Sequence, residues 1–442
     1  MNRPRPLSGF PELLPEARIV EQQVLERLRE TFELHGFTPV ETRAVEPLER
    51  LTKQGEIDKE VYAVNRLRAE PGAPAELGLH FDLTVPFARY VVEHAHALAF
   101  PFRRYQIQRV WRGERPQEGR YREFTQADID IVGAGELPFH YEAEIPLVIA
   151  DVFERLPIGP YRIQVNNRKI PEGFYLGIGL APEQVAGVLR IVDKLDKIGP
   201  EAVREALVEF GATDEQAQAC LALAQVSATD TSFVEAVRAL GVTHETLEAG
   251  LSELAAVIAA GIEHAPGVLV ADLKVARGLD YYTGTVYETQ LVGQEEYGSV
   301  CSGGRYDSLA SDGKSTYPGV GISIGISRLL GRLVPATITT SRPTPTCVLV
   351  ALNTEDDRAS ANSVATQLRR RGIATEVAPS AAKFGKQIRY ADRRGIPFVW
   401  FGPREDGAPH SVKDIRSGEQ VDADPAAWLP PADDLRPRLV GG

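Results

Sequence analysis

The sequence predicts an α+β architecture: an antiparallel sheet with flanking helices, interrupted by a helical insert and followed by a small α/β domain. Three observations carry this expectation. Residues 105–131 alternate apolar and polar side chains on either side of a charged segment with Pro and Gly at its turns, the pattern of an antiparallel hairpin with a long loop. From Ala181 to about His264 the chain is rich in Ala, Leu, Glu and Val at helical periodicity, with few strand signals, and alternation returns at Val268. After a Pro/Thr/Ser-rich stretch, ATITTSRPTPT, the segments run β-α-β-α-β, the order of a sheet with a parallel core. The expected boundaries are 1–168 and 265–335 for the sheet domain, 169–264 for the insert, 336–346 for a linker and 347–442 for the last domain.

Bulk properties narrow the class. A chain of 442 residues with 43% hydrophobic and 25% charged content holds two or three globular domains. It has no run of about eighteen apolar residues, and its start, MNRPRPLSGF, lacks the apolar stretch of a secretion signal, so a cytoplasmic protein with no membrane partner is expected. Cys220, Cys301 and Cys347 are widely spaced without a C-x-x-C pair, which indicates buried small hydrophobes and neither a disulfide framework nor a zinc site. A net charge of −12 argues against bulk attraction to polyanions. Any such binding must use local basic patches, and two exist: the hairpin and Lys383–Arg394.

Taken in order, residues 17–35 place Val20, Val24, Leu28 and Phe32 four apart and stop at Gly36, an amphipathic helix with a glycine C-cap. The extended segment GFTPVETRAVEP follows. From Leu79, LHFDLTVPFARYV is expected to be a strand running into a helix, with Asp82 and Thr84 on one strand face. A carboxylate beside a hydroxyl suits an ammonium group; a cap for the helix near Pro86 is the alternative. His94 and His96 have no acidic or cysteine partner at ligand spacing, so no metal site is assigned to them.

The hairpin holds seven arginines, Arg103, Arg104, Arg109, Arg112, Arg115, Arg120 and Arg122. Arg109 and Arg112 are expected near one end of the sheet, where guanidinium forks suit phosphate or carboxylate oxygens. Gln126, Asp128 and Asp130 share the opposite strand's polar face by period two. Together they suggest a site for a polyanion and a small polar molecule, against the plainer reading of a solvated salt-bridged hairpin. Further on, YRIQVNNR closes a strand, and ARGLDYYTGTVYE and CSGGRYDSL bring Arg277, an always-charged cation, the rings of Tyr281 and Tyr282, and Gly303 and Gly304, which permit close backbone approach. GVGISIGISRLL is a poor dinucleotide loop because no ribose-binding acid follows at the expected distance, and DGKST is an exposed turn lacking the first glycine of a phosphate loop.

WRGERPQEGRYREF, followed by Gln126 and Asp130, resembles the second signature motif of class II aminoacyl-tRNA synthetases in the form used by histidyl-tRNA synthetases. The helix and extended segment over 17–47 resemble the first motif, which builds the dimer interface in that family, and GVGISIGISRLL resembles the third. ARGLDYYTGTVYE and CSGGRYDSL resemble the two segments that set histidyl-tRNA synthetases apart, and residues 347–442 resemble the shared anticodon-binding domain. Three positions depart from the pattern: Arg43 where the family has proline, and His80 and Phe81 before Asp82.

The resemblance implies ATP, Mg2+, L-histidine and tRNA(His) as ligands, a homodimer, and formation of histidyl-adenylate followed by transfer to the tRNA 3′ end. Residue by residue, it implies Asp82, Leu83 and Thr84 at the histidine ammonium, with Gln126, Asp130, Tyr281 and Tyr282 completing the pocket. Arg112 would hold the α-phosphate and substrate carboxylate, Glu114 the adenine amino group, Arg120 the nucleotide, Arg328 the γ-phosphate, and Arg277 the charge developing at the α-phosphorus. Arg115, Gln117, Lys383, Lys386 and Arg389 would contact tRNA. The rival reading is the non-catalytic paralogue that regulates a phosphoribosyltransferase of histidine biosynthesis; it generally lacks the last domain and has degraded ATP motifs, both intact here.

Overall fold

The computed structural model describes residues 5–52, 60–68, 74–276, 282–334, 338–403 and 408–441. Contacts divide the chain into two units, one of residues 1–11 and 27–332 and one of residues 12–26 and 333–442.

The first unit is organised by a nine-stranded sheet. Its strands in chain order are β1 (Thr38–Pro39), β2 (Phe102–Trp111), β3 (Glu123–Val132), β4 (Tyr161–Asn167), β5 (Ser227–Ala228), β6 (Leu269–Asp272), β7 (Thr285–Leu291), β8 (Cys301–Tyr306) and β9 (Gly319–Gly325). They lie in the order β1-β2-β3-β9-β8-β7-β4-β6-β5. The run β2-β3-β9-β8-β7-β4 is antiparallel, as expected. The sheet as a whole is mixed, however, because β1 joins β2 and β6 joins β4 in parallel. Parallel neighbours need a long crossover. The residues between β4 and β6 supply one, and they include the predicted helical segment. β6 is buried along its whole length and does not alternate.

Helix α1 (Pro15–Leu34) buries Val20, Val24, Leu28 and Phe32 and ends at Gly36, whose φ of 76° is the left-handed cap conformation. Helix α2 (Thr84–His94) corrects the expectation for Asp82 and Thr84: β-structure ends at Leu79, Asp82 lies in the turn before the helix and Thr84 is its first residue. Asp82 Oδ1 accepts the Val85 N–H at 3.2 Å, so the helix starts where the alternating pattern still reads as strand. Helix α3 (His140–Glu154) belongs to the same unit.

The segment expected to form an insert is mainly helical, with α4 (Lys169–Gly177), α5 (Pro182–Val192), α6 (Leu195–Glu209), α7 (Asp214–Ala224), α8 (Phe233–Arg238) and α9 (Glu245–His264). Helices α4 and α9 pack backbone to backbone: a Cβ on Gly173 would fall 2.3 Å from the Leu247 nitrogen. This segment also contributes β5, which its composition did not announce, to the sheet edge. Helix α10 (Ile326–Leu333) follows β9 directly.

In the second unit, β10 (Val348–Val350) lies between β11 (Thr375–Val377) and β12 (Phe398–Phe401), parallel to both, and two further strands extend the sheet antiparallel. Helices α11 (Arg358–Arg370) and α12 (Phe384–Arg394) complete the predicted β-α-β-α-β order. Within the expected linker, residues 338–346 are described and make ordered contacts. Ile338–Thr340 pairs with Leu439–Gly441, and buried Arg342 donates to the carbonyls of Thr344, Pro345 and Asp434 at 3.0, 3.2 and 2.8 Å. Turn-forming composition hid a strand whose partner lies about a hundred residues away in the chain.

Candidate active site

Antiparallel register lines polar residues up in rows across the sheet. Arg104, Asp130, Gly321 and Gly304 form one row on β2, β3, β9 and β8. Gln106, Asp128, Ser323 and Ser302 form the next, and Gln108, Gln126 and Gly325 a third. Between these positions on β3, Ala127, Ile129 and Ile131 are fully buried on the other face. Strand period therefore puts one face of β3 into the core and the other into a cleft of about 210 Å³. Asp82, Thr84, Arg112, Gln126, Asp128, Asp130, Tyr282, Ser302, Tyr306 and Ser323 all line it, with Glu60 and Phe81 at its wall.

Three carboxyls meet here, Asp128 and Asp130 buried and Asp82 partly so. Asp130 is held by Arg104 at 2.7 Å and by the Tyr306 hydroxyl at 2.8 Å. Arg104 is itself fully buried, stacked 4.1 Å above the Phe87 ring and 4.0 Å from Asp128. Burial pushes the Asp130 carboxyl up to about 7 against the pull of Arg104, and the Asp82 carboxyl up to about 6 against the Val85 N–H and Arg112. Asp128 is raised for the same reason, opposed by Arg104 and Ser323. A cation entering this cleft would meet carboxylates that have given up water and gained too little in exchange.

Arg112 is anchored through Nε to the Phe81 carbonyl at 3.0 Å and lies 5.1 Å from the Phe124 ring. Its terminal nitrogens have no hydrogen-bond partner among the described residues, which leaves a fork presented to an anion. Phe81 thus contributes its backbone. The neighbouring His80 is buried, stacked 5.5 Å from Trp111, with Nε2 donating to the Arg109 carbonyl at 2.7 Å. At the third departure, Arg43 donates to buried Glu46 at 3.1 Å. Glycines set the clearances: a Cβ on Gly304 would lie 2.8 Å from the Tyr282 ring.

The other predicted residues divide into groups. Leu83 is buried with its side chain in the core, its carbonyl 3.5 Å from Arg104. Glu114 and Arg120 pair at 3.4 Å in the β2–β3 connection, which closes in a tight turn where Gln117 and Arg120 exchange backbone hydrogen bonds of 3.1 and 3.0 Å. Gly119 turns there with φ of 69°, against the Tyr297 ring. Arg115 is exposed beside it. Arg328 also packs on Tyr297, 5.1 Å from the ring and bonded to its carbonyl, while the Tyr297 hydroxyl donates to the Arg328 carbonyl at 2.6 Å. Arg109 is a correction: it is largely exposed and paired with Glu123, because odd and even positions of β2 face opposite ways and Arg104 holds the inner face. Arg277 and Tyr281 lie outside the described residues. In the second unit, Lys383 is exposed at the N-cap of α12, and Lys386 and Arg389 are exposed on the helix.

Ser302, Tyr306, Ser323 and Tyr297 were not singled out from the sequence, and Arg104 was named only as one of seven arginines. Period two on β3 already grouped Asp128 with Gln126 and Asp130, and Tyr306 stands inside CSGGRYDSL; nothing local marks Tyr297.

Comparison with known proteins agrees with this geometry. A family model described as histidyl-tRNA synthetase matches residues 9–329, and one described as an anticodon binding domain matches residues 346–426. The histidine–tRNA ligase of Micrococcus luteus is 62% identical over 456 aligned residues, covering 100% of this chain and 99% of that protein. The crystal structure of histidyl-tRNA synthetase from Nostoc sp. PCC 7120 has a TM-score of 0.85 at 37% identity, covering 96% of this chain and 97% of that one. A Bacillus halodurans structure described as an ATP phosphoribosyltransferase regulatory subunit/histidyl-tRNA synthetase has a TM-score of 0.74 at 18% identity, covering 90% of this chain and 97% of that one, a likeness of fold alone. With a family match over most of its length and full-length relatives at high identity, the chain belongs to the histidyl-tRNA synthetase family.

Proposed function

We infer that this chain is a histidine–tRNA ligase: it activates L-histidine with ATP and passes the histidyl group to the 3′ end of tRNA(His). The observation that carries this reading is the cleft itself, where buried Asp128 and Asp130 and partly buried Asp82 converge beside Arg112. A small zwitterion with a cationic amine, a carboxylate and a polar ring complements that set.

In the first step a carboxylate oxygen of histidine attacks the ATP α-phosphorus and pyrophosphate leaves. In the second, a hydroxyl of the terminal adenosine attacks the acyl carbon and AMP leaves. No protein nucleophile is required; positioning and charge stabilisation supply the catalysis. Asp82 and Thr84 take the ammonium group, the Arg112 fork bridges the histidine carboxylate and the α-phosphate, and Gln126, Asp130, Tyr281 and Tyr282 complete the histidine pocket. Leu83 contributes its backbone. Glu114 and Arg120 hold the adenosine side, Arg328 meets the γ-phosphate and Arg277 the charge developing at the α-phosphorus.

ATP is a substrate of this family. Mg2+ would arrive with the triphosphate, whose charge it neutralises. We assign tRNA contacts to Arg115 and Gln117 in the β2–β3 connection and to Lys383, Lys386 and Arg389 at the start of α12 and along it. We propose a homodimer built on residues 17–47 and a cytoplasmic location; no described helix is long and apolar enough to cross a membrane. The helical segment 169–264 is proposed as an insertion domain, and the C-terminal α/β part as the anticodon-binding domain.

The regulatory paralogue is the second reading, since the Bacillus halodurans neighbour shows that the fold alone does not choose. The matched anticodon binding domain favours the enzyme. Pyrophosphate exchange with each of the twenty amino acids, with and without total tRNA, tests the choice: histidine-selective exchange supports the ligase, and no exchange with any amino acid supports the paralogue.

A further inference from the structure

The hydrogen bonds around Gln126 run in one direction. Gln126 Nε2 donates to Ser323 Oγ at 2.6 Å, and the Ser323 hydroxyl donates to Asp128 Oδ1 at 2.5 Å. Asp128 is buried, lies 4.0 Å from the Arg104 guanidinium, and as a carboxylate can only accept. A serine hydroxyl has one proton to give. With that proton committed to Asp128, Ser323 can only accept from its other neighbour, so the Gln126 amide must turn its N–H2 toward Ser323 and its oxygen away. That oxygen, Oε1, is buried without a hydrogen-bond partner, although Gln126 lines the cleft. Leaving a buried acceptor unmade costs about 1–3 kcal/mol, and such atoms are rare in folded proteins.

Register makes the chain possible. Asp128 and Ser323 are direct cross-strand partners, whereas on β9 the residue opposite Gln126 is Gly325, which has no side chain, and on β2 it is Gln108, whose amide accepts from Gln106 at 2.7 Å and donates to the Thr42 carbonyl at 2.8 Å. The amide therefore reaches diagonally to Ser323.

We propose that Ser323 and Asp128 are positioning residues that lock the Gln126 amide so that its oxygen accepts an N–H of the bound amino acid. The proposal rests on the reading that this cleft holds the amino-acid substrate. Without the Ser323 hydroxyl the amide is free to rotate, and the rotamer that presents its N–H2 to a cationic substrate is repulsive. Gln126 then touches the substrate, and Ser323 and Asp128 act only through it. The competing role for the Ser323–Asp128 bond is structural, a tie between β3 and β9.

The test uses the full-length chain and pyrophosphate exchange. Ser323→Ala is expected to raise the KM for histidine about tenfold, to leave the KM for ATP within twofold, and to keep the melting temperature within a few degrees. Ser323→Thr, which restores the hydroxyl on a residue suited to strands, is expected to return the histidine KM to within twofold of wild type. An unchanged histidine KM in Ser323→Ala overturns the proposal. So does a parallel rise in both constants with a lowered melting temperature, which is the signature of a tie between strands. Wild type that exchanges with a different amino acid overturns the histidine reading, and the relay is then judged with that amino acid, whose ammonium offers the same kind of N–H. Wild type that exchanges with none overturns both.

Discussion

Gly321 stands directly opposite Asp130 on neighbouring antiparallel strands, and a Cβ added to it would fall 2.1 Å from the Asp130 carboxylate oxygen. The glycine is thus the space that Asp130 occupies. Gly321→Ala is expected to force Asp130 off Arg104 and Tyr306, with overpacking costing on the order of 1–3 kcal/mol. Histidine-dependent exchange should fall roughly a hundredfold or more. Thermal melting and exchange on one preparation check this, and near-normal activity would show that Asp130 can be displaced without loss.

Binding of histidine should release protons near neutral pH. Burial holds Asp130 at about 7 and Asp82 at about 6 in the free protein, so part of this pair is protonated at pH 7. An ammonium group beside a carboxyl favours its ionised form and lowers its pKa, and the proton leaves. Calorimetry in two buffers of different ionisation enthalpy should therefore find a fractional proton released at pH 7 and almost none at pH 8.5. Net uptake at pH 7 would mean that the carboxyls do not face the cation.

Arg277→His should lower the adenylation rate far more than it weakens ATP or histidine binding. Only interactions that strengthen in the transition state raise turnover, and negative charge grows on the α-phosphate oxygens as the carboxylate attacks. A guanidinium is charged at every working pH, whereas an imidazole is mostly neutral near pH 7 and shorter. Single-turnover adenylate formation, substrate dissociation constants and melting temperature separate this from a structural ion pair, which would lower the melting temperature as well.

Lys386→Glu with Arg389→Glu should spare exchange and weaken tRNA charging, because both side chains are exposed on α12, in a different unit from the cleft. Each lost phosphate contact should reduce the slope of log K against log salt by about 0.7–0.9. An unchanged slope would move the tRNA contact elsewhere.

Much of the cleft was legible because period two needs no tertiary information: Gln126, Asp128 and Asp130 had to share a face once β3 was a strand. Arg104 was not legible. In a run of seven arginines nothing local says which one is buried, and here the choice is made by Phe87, on a helix that precedes the run. Asp82 and Thr84 were grouped correctly but placed on the wrong element, because the alternation of LHFDL continues past the point where the Asp82 side chain starts a helix. Ser323 needed the register of β9 against β3, a pairing of residues almost two hundred positions apart. The strand at Ile338–Thr340 was hidden for a similar reason, its partner lying far along the chain.

The rows across β2, β3, β9 and β8 also decide how this protein tolerates change of length. A substitution within a row alters one contact and leaves the others in step. Removing or adding one residue in β3 or β9 shifts every later side chain by half a period, turning Asp128 and Asp130 toward the packed face and Ile129 and Ile131 toward the cleft. In a library carrying both kinds of lesion, single-residue deletions in these two strands should be depleted almost uniformly, while conservative replacements at the same positions survive in graded fashion. The site is written in a reading frame of two, and a frameshift in that code is costlier than a misspelling.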